Sequence, residues 1–328
     1  MTCYDPLQGF LNPKNGGIIF KPTPQATQPM EVACGQCIGC RLDYSRMWSM
    51  RIVHEASLYE HNNGNSFITL TYRDQDACTD EQLKNGYHIP EDWGLQKAHF
   101  QKFMKRLRKA NPGKRIPYYH CGEYSDTCRH GKDISHCIHC TIGRPHYHAI
   151  IFNHTFEDTQ PCGYRNDTTY YTSPTLEKVW KHGFVQVGDV TLESAAYVAR
   201  YCMKKITGEE KDQHYQNLDD YGERVPVQPE YATMSRKPGI GKKWYERFKS
   251  DLYPNDEVPV PGQGVFKKVP RYYDIQLERE NPQLMEELKN KRKKFIESNP
   301  SEFTSNRLSQ KHAVKKAQIK HLKRTLDK

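Results

Sequence analysis

Arg144-Pro145-His146-Tyr147-His148-Ala149-Ile150-Ile151-Phe152 sets two histidines around one bulky residue at the head of an apolar run. In a strand, side chains alternate between faces, so His146 and His148 point one way and Tyr147 the other. Two imidazoles side by side on one face can grip a divalent metal. Further along comes Tyr197-Val198-Ala199-Arg200-Tyr201-Cys202-Met203-Lys204-Lys205, inside a segment (192–205) with helical character. Tyrosines four apart share a helix face, and Lys204 and Lys205 fall on it too. Each half alone matches an ordinary packing pattern, since a tyrosine body is largely apolar. Together, in this order, they supply what a nuclease with a tyrosine nucleophile needs.

Working outward, residues 42–59 carry helical periodicity through Met47, Met50, Ile52, Ala56 and Leu58. Phe67-Ile68-Thr69-Leu70-Thr71-Tyr72 follows Asn63-Gly64 and reads as a strand. A loop is expected from 73 to 93. An amphipathic helix at 95–110 then repeats Phe100, Phe103, Met104 and Leu107 and ends at Asn111-Pro112-Gly113. Strands are expected at 115–124 and 146–153, a short helix at 175–182 closed by Gly183, and a strand at 184–187. Up to that strand the order is β-α-β-β-α-β, which predicts an α+β, ferredoxin-like (split βαβ) antiparallel sheet with flanking helices. The tyrosine helix comes next, and a helical C-terminal extension ends the chain. In this arrangement 115–124 lies beside 146–153, which brings Glu123 of Cys121-Gly122-Glu123-Tyr124 within reach of the histidines. A His-His-Glu set of mixed N/O donors accepts Mg²⁺ or Mn²⁺.

The formal charge of +10 is unevenly placed. Residues 289–328 hold thirteen Lys/Arg against three acids, Glu297, Glu302 and Asp327, so the preceding 288 residues are neutral overall. A basic tail such as Lys291-Arg292-Lys293-Lys294 suits phosphate backbones as well as a solvated helix. No apolar run reaches the ~18–20 residues of a membrane span. The N-terminus lacks a basic start and an apolar stretch, so no signal peptide is expected. The eleven cysteines are odd in number and closely spaced, which favours reduced thiols or metal sites and a cytoplasmic chain.

These motifs resemble those of HUH endonucleases that initiate rolling-circle DNA replication. The similarity is closer to replication initiators of small single-stranded DNA phages, the gokushovirus branch of the Microviridae. Cys34-Gly35-Gln36-Cys37-Ile38-Gly39-Cys40-Arg41, Gly143-Arg144-Pro145-His146-Tyr147-His148 and the tyrosine helix all look like that group. So do Met234-Ser235-Arg236-Lys237-Pro238-Gly239-Ile240-Gly241 and Pro270-Arg271-Tyr272-Tyr273-Asp274. The resemblance implies metal ligation by His146, His148 and Glu123. It also implies alternating nucleophiles Tyr197 and Tyr201, with Lys204 positioning the phosphate. Site-specific nicking and rejoining of single-stranded DNA at a replication origin, through a 5′-phosphotyrosine, is the expected activity. Relaxases place their tyrosine before the histidines, against the order here. No Gly-rich phosphate loop with Lys-Ser/Thr is present, so unwinding and synthesis are expected from host helicase and polymerase.

The chain departs from that pattern between Tyr124 and Gly143, where Cys128, His130, Cys137 and Cys140 have zinc-like spacings and His136 and His139 compete. A structural Zn²⁺ would order a hairpin too small for its own core. Cys34, Cys37 and Cys40 form a second cluster, open to zinc, iron–sulfur or plain thiols, and Cys3 or another cysteine could complete it. The expected organisation is an N-terminal segment with the cysteine cluster and a helix (1–60), then the endonuclease core (61–210) with a Cys/His insert at 125–142. A C-terminal extension of the core (211–280) and a basic helical tail (281–328) follow. The competing reading is a non-catalytic, zinc-stabilised single-stranded nucleic-acid-binding protein that uses tyrosines as stacking platforms. Stacking tyrosines belong on sheet strands, whereas Tyr197 and Tyr201 sit on a helix beside lysines.

Overall fold

The computed structural model describes residues 3–26, 28–61, 63–137, 140–165, 168–201, 211–218 and 222–320. They form two compact units, one of residues 48–268 and one of residues 1–47 with 269–328. The first holds a seven-stranded sheet. In chain order its strands are β1 (Asn65–Thr71), β2 (Tyr118–Tyr124), β3 (Pro145–Phe152), β4 (Gln160–Arg165), β5 (Thr168–Thr172), β6 (Val185–Gly188) and β7 (Tyr231–Met234). The spatial order is β7-β2-β3-β1-β6-β5-β4, and every neighbouring pair is antiparallel. Its centre, β2-β3-β1-β6, has the strand order of the split βαβ arrangement, with the expected α+β character.

Three further strands extend this centre, and the loops that hold them showed no strand signal. The β4–β5 hairpin lengthens one edge and β7 pairs with β2 at the other. Gln160–Arg165 contains Pro161 and Gly163 with a register shift between them, residues that weaken any local strand signal. The expected loop at 73–93 contains a short helix, Asp80–Lys84, whose Thr79 and Gln82 form a capping box.

The helices of the core are α1 (Ile38–Ser57), α2 (Lys97–Ala110), α3 (Pro174–Trp180) and α4 (Leu192–Tyr201). Alternation gives the sheet two apolar faces. Ile68, Leu70, Tyr147, Ala149 and Ile151 point to one face and join Phe100, Phe103, Met104 and Leu107 of α2 and Leu176, Val179 and Trp180 of α3 in the main core. The opposite face carries His146 and His148 and is crossed by α4, which packs on β2 and β3. In the same unit, Trp48 of α1 lies against Tyr119, ring centroids 4.9 Å apart.

Helix α3 begins where Ser173 caps the Leu176 N–H at 3.1 Å and Pro174 takes the first turn. It ends earlier than expected, and the left-handed residue that closes it is Lys181 (φ 71°), not Gly183. Gly183 serves the sheet instead. A Cβ there would lie 2.4 Å from the Arg73 nitrogen and 2.5 Å from the Thr71 carbonyl, where the chain crosses the end of β1 and bonds to it on both sides.

The other unit contains a small sheet of Leu7–Leu11, Ile18–Ile19 and Pro29–Val32 and the helices α5 (Arg271–Glu280), α6 (Pro282–Glu297) and α7 (Ser305–Lys320). Within it Arg292 grips Asp274 with two bonds of 2.8 and 3.0 Å, and His312 stacks on Tyr4 at 5.5 Å. Part of the basic tail is therefore folded structure. Among the described residues, no helix is long and apolar enough to cross a membrane.

Candidate metal centre and tyrosine helix

The pairing of β2 with β3 sets Glu123 directly opposite His146 and Cys121 opposite His148. Opposed residues in an antiparallel pair share a face, so the carboxylate meets both imidazoles. Glu123 Oε1 lies 2.6 Å from His146 Nε2 and 2.9 Å from His148 Nε2. Glu123 is 2 % exposed, and His146 is the most open of the three. Burial pushes the Glu123 carboxyl up, but the His146 charge and hydrogen bonds from both rings outweigh it and hold the group down at about 2.

The protons on these rings follow from their outer partners. His146 Nδ1 is 3.2 Å from the Arg144 carbonyl, which can only accept. A neutral His146 with its proton there aims a lone pair at Glu123, acceptor against acceptor. Either a second proton or a cation resolves the clash. The Thr69 hydroxyl, 2.9 Å from His148 Nδ1, fixes the second ring in the same way. Glu123 Oε2 is buried without a hydrogen-bond partner among the described residues. Two imidazole nitrogens and a carboxylate, with an orphaned oxygen, fit a divalent cation.

Tyr197 sits on α4, 8 % exposed. Its ring stands edge-on to His148 with centroids 5.0 Å apart and edge-on to Phe67 at 6.2 Å. Phe67 in turn stacks on His148 at 5.7 Å. The helix that was expected to carry the tyrosines is thus laid across the histidine strand. Tyr201 is its last residue; the Tyr201 side chain and the whole of Lys204 lie outside the described residues.

Two further clusters come together. Cys128, His130, Cys137 and Cys140 place their ligand atoms within 4.8 Å of one another, with His130 Nδ1 at 4.0, 3.5 and 3.4 Å from the three sulfurs in chain order. His136 is not in this group, and His139 lies outside the described residues. The cluster closes the hairpin between β2 and β3, whose base is tied by Ser125 N–H to the Arg144 carbonyl and Arg144 N–H to the Thr127 carbonyl. Gly143 makes that closure possible, because a Cβ there would fall 1.7 Å from the Ser125 carbonyl oxygen.

In the other unit, Cys3 joins Cys34, Cys37 and Cys40 as a fourth thiol. Sulfur–sulfur distances are 3.6 Å (Cys3–Cys34), 3.9 Å (Cys3–Cys37) and 4.0 Å (Cys34–Cys40). A tetrahedron with metal–sulfur bonds of about 2.3 Å has an edge of about 3.8 Å, so this cage fits a single ion and is too tight for a multi-iron cluster. Backbone N–H groups of Cys34, Tyr4 and Cys37 donate to the sulfurs at 3.2–3.3 Å. Burial pushes the Cys37 thiol up, but N–H donors from Tyr4 and Cys40 and the neighbouring thiols bring it down to about 7. The sequence could not single out Cys3, which reaches the others only through tertiary folding. Thr69 was missed for the same reason.

A family model of replication-associated proteins of the ORF2 type matches residues 65–206, from the start of β1 past both tyrosines. The chain is 30% identical to replication-associated protein VP4 of Bdellovibrio phage phiMH2K over 294 residues, 86% of this chain and 79% of the relative. The chain belongs to this family of phage replication-associated proteins. Another family member, replication-associated protein ORF2 of Spiroplasma virus 4, is 33% identical over 303 residues, 85% of this chain and 81% of its own. A third, replication-associated protein ORF4 of Chlamydia phage 1, is 32% identical over 182 residues, 53% of this chain and 38% of its own. The expected kinship with Microviridae initiators therefore holds. The family's matched segment contains Glu123, His146, His148, Tyr197 and Tyr201. No solved structure matches the chain.

Proposed function

We propose that this chain initiates phage rolling-circle replication by nicking single-stranded DNA at an origin and rejoining it. The observation that carries the reading is the Tyr197 ring packed on His148, within a cluster where two imidazoles and a carboxylate converge. Glu123, His146 and His148 hold a divalent cation, Mg²⁺ or Mn²⁺, and the bound ion polarises the scissile phosphate and stabilises its developing charge.

The chain's own residues do the rest. A tyrosine hydroxyl with a pKa of about 10 is ionised in roughly one molecule in a thousand at pH 7, so forming the phenolate costs about 4 kcal/mol. Tyrosine Oη attacks phosphorus, an O–P bond forms on the 5′ side, and the bond to the 3′ oxygen breaks. That oxygen takes a proton and leaves as a 3′-hydroxyl. Attack by a 3′-hydroxyl on the phosphotyrosine reverses these steps and seals the strand. Tyr201, one helical turn on, permits a second cleavage while the first product is attached, and Lys204 neutralises phosphate charge. Residues 61–210 carry this chemistry and 211–280 extend the core. The two cysteine clusters bind structural Zn²⁺. The setting is the host bacterial cytoplasm, where host helicase and polymerase supply unwinding and synthesis.

The test is a covalent-adduct assay. Protein and labelled single-stranded DNA are mixed with Mn²⁺ or chelator, denatured and separated on an SDS gel. A metal-dependent shifted band, lost in Tyr197→Phe/Tyr201→Phe, is the expected result. Salt-sensitive binding with no adduct on any DNA would leave only the binding-protein reading.

A further inference from the structure

The Met234-Ser235-Arg236-Lys237 stretch takes no part in the metal centre. Ser235, Arg236 and Lys237 form one wall of a 510 Å³ cavity, and the chain from Arg108 through Lys114 and Arg115 to Tyr118 forms the other. Arg108, Lys114, Arg115, Arg236 and Lys237 all line it, and no acidic residue does. Concave surfaces lined by one sign of charge concentrate the field and draw counter-charge.

The walls are fixed by the sheet. Tyr118 N–H donates to Ser235 Oγ at 3.1 Å, and Ser235 N–H donates to the Tyr118 carbonyl at 2.9 Å. Arg115 Nη1 is shut off from water and has no hydrogen-bond partner among the described residues. A guanidinium nitrogen so placed lacks an acceptor that a phosphate oxygen supplies. The half-buried Tyr118 ring, with the Arg108 guanidinium carbon 5.6 Å from its centroid, adds an aromatic surface. Cations on both walls with no carboxylate to select a sugar hydroxyl or an exocyclic amine suit a polyanion's backbone.

We propose that this cavity holds a backbone phosphate of the single-stranded DNA. Tyr118 opens the strand whose far end carries Glu123, so the cavity lies roughly 16 Å along β2 from the metal centre. It therefore grips the strand a few nucleotides from the reacting phosphate. That placement rests on the nicking reading; the binding does not.

The test is a fluorescence-anisotropy titration of labelled single-stranded DNA with the full chain in chelator, at several salt concentrations. Both Arg236 and Lys237 are exposed, so Arg236→Gln/Lys237→Gln should fold; Lys114→Gln on the opposite wall carries the same test if it does not. The expected result is about tenfold weaker binding and a salt slope reduced by roughly 0.7 for each phosphate the variant no longer neutralises. Lys102→Gln/Lys105→Gln, on the exposed side of α2, is the control for bulk charge and should leave the slope unchanged. An unchanged slope in the cavity variants, or an equal change in the control, overturns the proposal. So does inorganic phosphate binding that the cavity variants abolish while their DNA affinity stays at the wild-type value. Adduct formation by wild-type protein with no slope change would sink the cavity alone; a slope change without any adduct would sink the nicking reading alone.

Discussion

Tyr147 separates the two faces of the histidine strand, and Tyr147→Phe tests that separation. Its ring is fully buried on the face away from the metal centre. Its hydroxyl is a hub. It lies 2.7 Å from the Tyr72 hydroxyl, accepts the Gln96 N–H at 2.8 Å and donates to the Gln96 carbonyl at 3.1 Å. Removing one oxygen leaves Tyr72 its bond to His99 Nδ1 at 2.8 Å but strands the Gln96 N–H. Missing bonds of about 1 kcal/mol each, plus an unsatisfied buried donor, come to about 2–4 kcal/mol. For a domain of this size that lowers Tm by roughly 5–15 °C. Thermal unfolding followed by circular dichroism measures the loss, and calorimetric titration with Mn²⁺ measures the metal centre. Alternation predicts a clear drop in Tm with Mn²⁺ affinity within about twofold of wild type. A variant that melts like wild type yet binds Mn²⁺ tenfold more weakly would refute the assignment of faces.

Two more tests bear on acid stability and on the thiol cage. Burial lowers His54, His154 and His182 to about 4, 4 and 3 from an ordinary 6.5, although the Pro259 carbonyl, 2.9 Å from His54 Nε2, pulls His54 back up. These folded-state pKa values are depressed, so the fold holds neutral rings. The stability they contribute is complete above pH 6.5 and is lost as pH falls towards 4, because the unfolded chain takes up the protons first. His54 alone accounts for on the order of 3 kcal/mol across that window; a Tm flat from pH 7 to 4.5 would contradict the reading. Cys3→Ser should lower bound zinc by one equivalent per chain, measured by elemental analysis, and leave the Cys128 cluster loaded. Unchanged stoichiometry would remove Cys3 from the cage.

Most of the core was legible in local pattern. The alternation of Phe67 to Tyr72 and His146 to Phe152, and the apolar spacing of Phe100 to Leu107, announced strands and a helix because side-chain direction repeats over two or 3.6 residues. What faded was structure defined by pairing. The β4–β5 hairpin and β7 are short, and they exist because a neighbouring strand offers them hydrogen bonds. Lys181 closes α3 in place of Gly183 because the crossing at Thr71 and Arg73 leaves no room for a Cβ at Gly183.

The sequence by itself determined the chemistry available: which residue types are present, that His146 and His148 share a face with Tyr147 opposed, and that Tyr197 and Tyr201 share a helix. Adjacent covalent geometry settles those relations, whatever the rest of the chain does. Only the tertiary structure decided that Glu123 stands opposite His146, that Thr69 holds the far side of His148, that Tyr197 lies on that ring and that Cys3 completes the thiol cage. Each of these joins residues far apart in the chain, and their meeting depends on strand register, helix placement and loop closure. Those are set by the packing of the whole domain, and no local periodicity encodes them.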